Sequence, residues 1–197
     1  MIRRRTAALV TALLVAGASL AGCASGTPSA EPTVTVTVTS TPTIAPTPTP
    51  TPTASTKTAV VPKDCDAVGT AATRAATVDG MTNQDDGTGF VRPAPDGATL
   101  ALGCDWIEGD ATGILLLISE ATPAAVTAAV ATLPGLGYTC STARAGNPLC
   151  TATVQGAQGF PNAVETIYAR DNIWIYMSAS NIDGGQLLSD LAVQMWE

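Results

Sequence analysis

Five cysteines and no histidine bound the chemistry open to this 197-residue chain. A Ser-His-Asp triad, a Cys-His pair and a histidine-ligated metal all need an imidazole, so none can be built. The two lysines available for a Ser-Lys arrangement, Lys57 and Lys63, stand at or before the start of the folded part. Four cysteines, Cys65, Cys104, Cys140 and Cys150, could bind zinc, but they contain no C-x-x-C pair. An even number in an exported chain points instead to two disulfides. Of three connectivities, Cys65 with Cys104 and Cys140 with Cys150 is favoured, because the second pair brackets a short loop holding Gly146, Asn147 and Pro148. Loop-closure entropy makes the short bridge worth about 3 kcal/mol and the long one about 4 kcal/mol, before strain.

The fifth cysteine has a different setting. Arg3, Arg4 and Arg5 precede an apolar run from Ala7 to Ala21, too short for a permanent membrane helix, and the run ends in Leu20-Ala21-Gly22-Cys23. The order of charge, apolar run and small residues predicts a signal peptide over residues 1–22. The last four residues resemble a bacterial lipobox, in which the cysteine thiol receives a diacylglyceryl group and the chain is cut just before it. Cys23 is therefore the predicted lipidation site. Two or three acyl chains anchor a protein durably where one binds only marginally.

Carboxylates are the remaining candidates for acid/base work. Asp105, Glu108 and Asp110 cluster near one predicted turn, and Asp85 and Asp86 lie in a predicted loop. Neither spacing marks a catalytic pair, and a solvated acidic turn is the favoured reading of both. Calcium on Asn83, Asp85 and Asp86 would lack the alternating oxygens and terminal glutamate of an EF-hand. No catalytic residue, metal or cofactor is assigned. Trp174 and Tyr176, with Tyr168 nearby, are the candidate ligand-binding residues, since two-residue spacing puts Trp174 and Tyr176 on one strand face. Ile173, Ile175 and Met177 take the other face, which must be covered or left as an apolar patch. Burial of both faces is the favoured alternative, because a small domain has few large side chains to fill its core.

Three segments follow from composition. Residues 1–22 are the leader; residues 23–60 carry the lipidated cysteine and a tether of Thr, Pro, Ser and Ala; residues 61–197 form one disulfide-stapled domain. The tether cannot build a core, and in a polyproline II conformation its 35 or so residues would extend on the order of 100 Å. Its Thr33–Val38 alternation reads as linker between prolines rather than strand. Its threonines suit O-glycosylation. Removing the leader's three arginines leaves six of the 9 basic residues against 16 acidic ones, a formal charge of about −10. That surface excludes nucleic acid as a partner and argues against docking of the domain on anionic lipid.

Within the domain, Asp64 or Asp66 is expected to cap a helix through about Ala76, with Val68, Ala72 and Ala75 on one side. Residues 77–97 read as loop. Leu100 to Trp106 and Ile114 to Ile118 form a hairpin around Gly109 to Gly113. Thr122-Pro123 starts a helix that Pro134-Gly135 stops, with Val126, Val130 and Leu133 as its buried stripe. A β region runs from Tyr138 to Val154, and a hairpin pairs Val164–Ala169 with Ile173–Ser178. Leu187, Leu188, Leu191 and Met195 mark a final helix after Asp183. The expected fold class is α+β, an antiparallel sheet with helices packed on one face and two disulfides.

Cys65 on an early helix, then Cys104-Asp105-Trp106 on a strand about forty residues later, behind a lipobox and a Pro/Thr tether, resemble small actinobacterial lipoproteins of unknown function. The resemblance covers the leader, the tether and about the first half of the domain. It implies an envelope lipoprotein with an α+β domain and transfers no catalytic or binding residue. The expectation is a lipid-anchored module on the outer face of the cell membrane, its domain reaching into the wall, acting in non-catalytic binding or as an accessory. Its partners would be the membrane, through the anchor, and an envelope protein, lipid or glycan. A structural surface protein and a carboxylate-dependent hydrolase are the alternatives.

Overall fold

The fold is described from a computed structural model, which covers residues 58–90, 92–143, 146–156 and 158–197. Cys23, the lipobox, Lys57 and the tether up to Thr56 lie outside these residues.

The first helical segment is broken where a single helix was expected. Asp64 accepts a hydrogen bond from the Ala67 N–H and closes only a 3-10 turn, Cys65–Ala67. Gly69 then takes φ +74°, a left-handed conformation that suits glycine, and a side chain there would meet Leu187 Cδ1 at 2.7 Å. Thr70 restarts the chain as α1 (Ala71–Ala76) through a reciprocal cap with Thr73. Val68 is buried as expected, but Ala72 and Ala75 face solvent and Thr73 is the buried residue of α1.

The predicted loop contains a strand, β1 (Thr82–Asp85), fully exposed. It is followed by β2 (Thr99–Glu108) and β3 (Thr112–Glu120), the expected hairpin. Thr122 caps α2 (Pro123–Thr132) by accepting from the Ala125 N–H, and a 3-10 turn, Leu133–Leu136, ends at Gly137 with φ +92°. Strands β4 (Thr139–Thr142), β5 (Pro148–Val154), β6 (Ala163–Arg170) and β7 (Ile173–Ser180) follow, then α3 (Gly185–Trp196).

The seven strands form one sheet in the order β1-β2-β3-β7-β6-β5-β4, every neighbouring pair antiparallel. Two meanders, β1 to β3 and β4 to β7, are joined where β7 returns to lie beside β3. The segment containing α2 carries the chain from the sheet's middle to its far edge. Both disulfides pair as favoured: Cys65–Cys104 ties the first turn to β2, and Cys140–Cys150 joins facing residues of β4 and β5.

Strand β3 shows how the faces are covered. Ile114, Leu116 and Ile118 enter one core cluster, with Ile175, Met177 and the α3 residues Leu187, Leu188, Leu191 and Met195. Leu115 and Leu117 enter another, with Trp174, Tyr176, Val126 of α2 and Leu133. Alternate residues of a strand point to opposite faces, so α3 and α2 lie on opposite sides of the sheet. The expectation of helices on one face is corrected: an unbroken apolar run such as Ile114–Ile118 needs cover on both sides.

Candidate functional site

Trp174 and Tyr176 share a face of β7 as predicted, yet neither is an open platform. Each is only 1 % exposed, and the opposite face of Ile173, Ile175 and Met177 is equally buried. The alternative of two covered faces is the one the structure holds, and no apolar patch is left on this strand. The cover over Trp174 is a strap, residues 87–90 and 92–94 of the connection between β1 and β2. Its crossing point is set by two glycines. A side chain on Gly103 would strike the Asp86 carbonyl oxygen at 1.9 Å, and one on Gly87 would strike Leu117 Cδ2 at 2.4 Å. Backbone thus lies directly on backbone, and the strap passes over β2 onto the sheet. Asp85 and Asp86 hold its bend by accepting from the Gly87 and Thr88 N–H groups at 2.9 Å each. The Trp174 indole N–H donates to the Pro93 carbonyl at 3.0 Å and pins the far end.

Between strap and sheet lies a cleft of about 270 Å³, with Leu117, Trp174 and Tyr176 beneath it. Its accessible rim carries two large apolar side chains, Phe90 at 38 % exposed and Leu100 at 42 %, beside exposed Thr88. Arg92 adds a cation, with its guanidinium carbon 5.4 Å from the Phe90 ring centre and 5.8 Å from that of Tyr176.

Deeper in the same face, Tyr176 joins two groups that the sequence reading passed over, Glu165 and Tyr138, in a polar knot. Glu165 of β6 accepts from the Tyr176 hydroxyl at 2.7 Å and, through its other oxygen, from the Tyr138 hydroxyl. Burial first, and the Glu165 carboxylate second, push both phenols well above their ordinary value, while Arg92 opposes the rise. Both therefore act as fixed proton donors to Glu165 rather than as phenolates. A signal for this was present in the sequence. Glu165 is in phase with Ile167 and Ala169 on a strand, and a carboxylate on a core face requires donors.

The predicted acidic groups are separated rather than convergent. Glu108 and Asp110 are exposed near the β2–β3 turn. Asp105 lies on the sheet face across from Asp85, and burial first, then the Asp85 charge, raise its carboxyl above the ordinary range against the pull of Arg92. Register runs from Asp105 to Leu115, then Ser178, then Glu165. Three strand spacings put the Asp105 and Glu165 backbones about 14 Å apart. Glycoside-cleaving carboxyl pairs work at about 5–9.5 Å. Among the described residues no group of three or more His, Cys, Asp or Glu side chains is placed to hold a metal ion. Asn83 Oδ1 is engaged by the Asp105 N–H at 3.0 Å, so the oxygens of Asn83, Asp85 and Asp86, already disfavoured as calcium ligands, serve the strap and its strand. Comparison with protein-family models, curated proteins and solved structures returns no match to the chain.

Proposed function

We propose that this chain is a membrane-anchored extracytoplasmic lipoprotein whose domain serves as a non-catalytic binding or accessory module of the cell envelope. The observation that carries the reading is the N-terminal order of three arginines, a 15-residue apolar run and Leu20-Ala21-Gly22-Cys23, followed by a Thr/Pro tether and a paired set of four cysteines. Anchor, spacer and stapled domain together describe a module held at the outer membrane face and able to extend into the wall. The likeness to small actinobacterial lipoproteins belongs with this reading. Binding, rather than hydrolysis, is supported by the wide spacing of Asp105 and Glu165 and by exposed Phe90 and Leu100 at the rim of the strap cleft.

Recovery of envelope proteins, lipids and glycans on the wild type and on a Phe90→Ser, Leu100→Ser double variant tests the binding role of this cleft. Both positions are exposed, so the variant keeps its core, whereas truncating Trp174 or Tyr176 would remove buried rings. A partner retained by the wild type and lost by the variant is expected. Equal recovery by both would remove the strap cleft from the account.

A further inference from the structure

The sheet face that carries α2 and the strap is covered at one end. There Leu117, Trp174 and Tyr176 lie beneath them. Toward the other end of the same strands the register sets Ile107, Gly113 and Ser180 side by side, with Asp105, Leu115 and Ser178 in the next row. All of these except Leu115 are only partly buried. Gly113 has no side chain, so the floor between Ile107 and Ser180 is bare. The result is a trough of about 230 Å³ across β2, β3 and β7. Asp105 lines it from β2, exposed Asp110 stands at its rim, and Phe160 and Pro161 of the β5–β6 connection close it from beyond β7.

The trough is electrostatically one-sided. Asp105 is half-buried, and its carboxylate makes no hydrogen bond or ion pair among the described residues; its backbone N–H alone is engaged, by Asn83. Burial first, and the Asp85 charge second, hold that carboxyl above the ordinary range against the pull of Arg92, as for an anion short of a cation. Asp110 adds a second carboxylate, and no lysine or arginine lines the trough among the described residues. Phe160 brings an aromatic ring that is 58 % exposed. Carboxylates on one side, an aromatic ring on the other and an apolar floor between them attract a cation carried on an apolar stem. The volume falls below the roughly 300–1,000 Å³ of sites that enclose a whole small molecule, so it suits one side chain inserted by a larger partner. With 9 Lys+Arg against 16 Asp+Glu, a second copy of this chain is a poor source of that cation.

We propose that this trough binds a lysine side chain of a basic peptide segment, its four-carbon stem lying over Gly113 and Leu115 against Phe160 and its ammonium donating to Asp105, with Asp110 at the rim adding to the attraction. The site needs neither the lipid anchor nor the strap cleft, so the failure of either leaves it standing. The probe is the blocked tripeptide acetyl-Gly-Lys-Gly-amide, titrated at low salt into the full chain in neutral detergent, with backbone amide shifts as the readout. Saturable shifts at Gly113, Ser178 and Ser180 are expected, fading as salt is raised. Norleucine in place of lysine keeps the stem and removes the charge, and is expected to bind about tenfold more weakly or not at all. Asp105→Asn is expected to weaken the lysine peptide about tenfold and Phe160→Ser severalfold. Glu120→Gln removes an equal charge from the far end of β3 and is expected to leave binding unchanged. Absence of saturable shifts overturns the site, and norleucine binding as tightly as lysine overturns the cation. A loss in Asp105→Asn no larger than in Glu120→Gln assigns the effect to the chain's overall acidity and overturns the site as well. If Asp105→Asn does not fold, norleucine and the exposed Phe160→Ser decide. The same shifts appearing with protein concentration alone would make a second copy the occupant and overturn the peptide partner.

Discussion

Glu165 brings a charge onto a sheet face otherwise built of Ile167, Ala169 and aromatic rings, and two phenols satisfy it. Glu165→Gln keeps the shape but replaces one acceptor oxygen with an amide that donates toward a phenol. A loss of about 1–3 kcal/mol is expected, read as a lower urea midpoint with unchanged slope. The same pair sets an alkaline limit. Both tyrosines have pKa values raised above the ordinary 10.0 in the native state, chiefly by burial. Above pH 10 the unfolded chain therefore releases protons that the native chain keeps, and stability falls as pH rises further. A native titration of phenolate absorbance between pH 9 and 12 should show less gain than the urea-unfolded chain over the same range. Coincident curves would mean that neither phenol is held.

Among the elements, the strap depends most on a single residue. Gly103→Ala places a methyl group within 1.9 Å of the Asp86 carbonyl, so the strap must lift or β2 must shift. The expected cost is about 1–3 kcal/mol, with faster amide exchange at Gly87 and Thr88 and loss of the Trp174 bond to Pro93. Helix α3 was legible because Leu187, Leu188, Leu191 and Met195 repeat at its period, and α2 because Thr122-Pro123 is a local capping signal. The β2–β3 and β6–β7 hairpins were legible through alternation and their turns. Strand β1 was not: Thr82, Asn83, Gln84 and Asp85 bury no face, so no hydrophobic period exists to read. Gly69 hid the break before α1, since its role comes from contact with Leu187, over a hundred residues away. The placement of α2 was hidden by its alanine-rich surface, although the unbroken Ile114–Ile118 run already required a second covering layer. Trp174 and Tyr176 were found as a face, but whether a face is open depends on what lies across it. Here that is the strap, whose Gly87, Gly89 and Pro93 read as loop and whose Phe90 and Arg92 repeat at no period that would place them over the sheet.

For the whole molecule, the acidic charge, the Thr/Pro tether and the stapled domain form a consistent set. Each would serve the proposed placement outside a cell on a lipid: staying solvated, reaching away from the bilayer and keeping a modest core folded under oxidising conditions. No helix among the described residues is long and apolar enough to cross a membrane. The attachment proposed above rests on Cys23 in the Leu20-Ala21-Gly22-Cys23 sequence. The direct measurement is fractionation of cells expressing the wild type or Cys23→Ala, with the domain's fold checked by its thermal transition. The wild type should sediment with membranes and leave them only with detergent, while Cys23→Ala loses that detergent-dependent association and unfolds at the same temperature as the wild-type domain. A Cys23→Ala protein held on membranes as firmly as the wild type would contradict lipid anchoring at this residue.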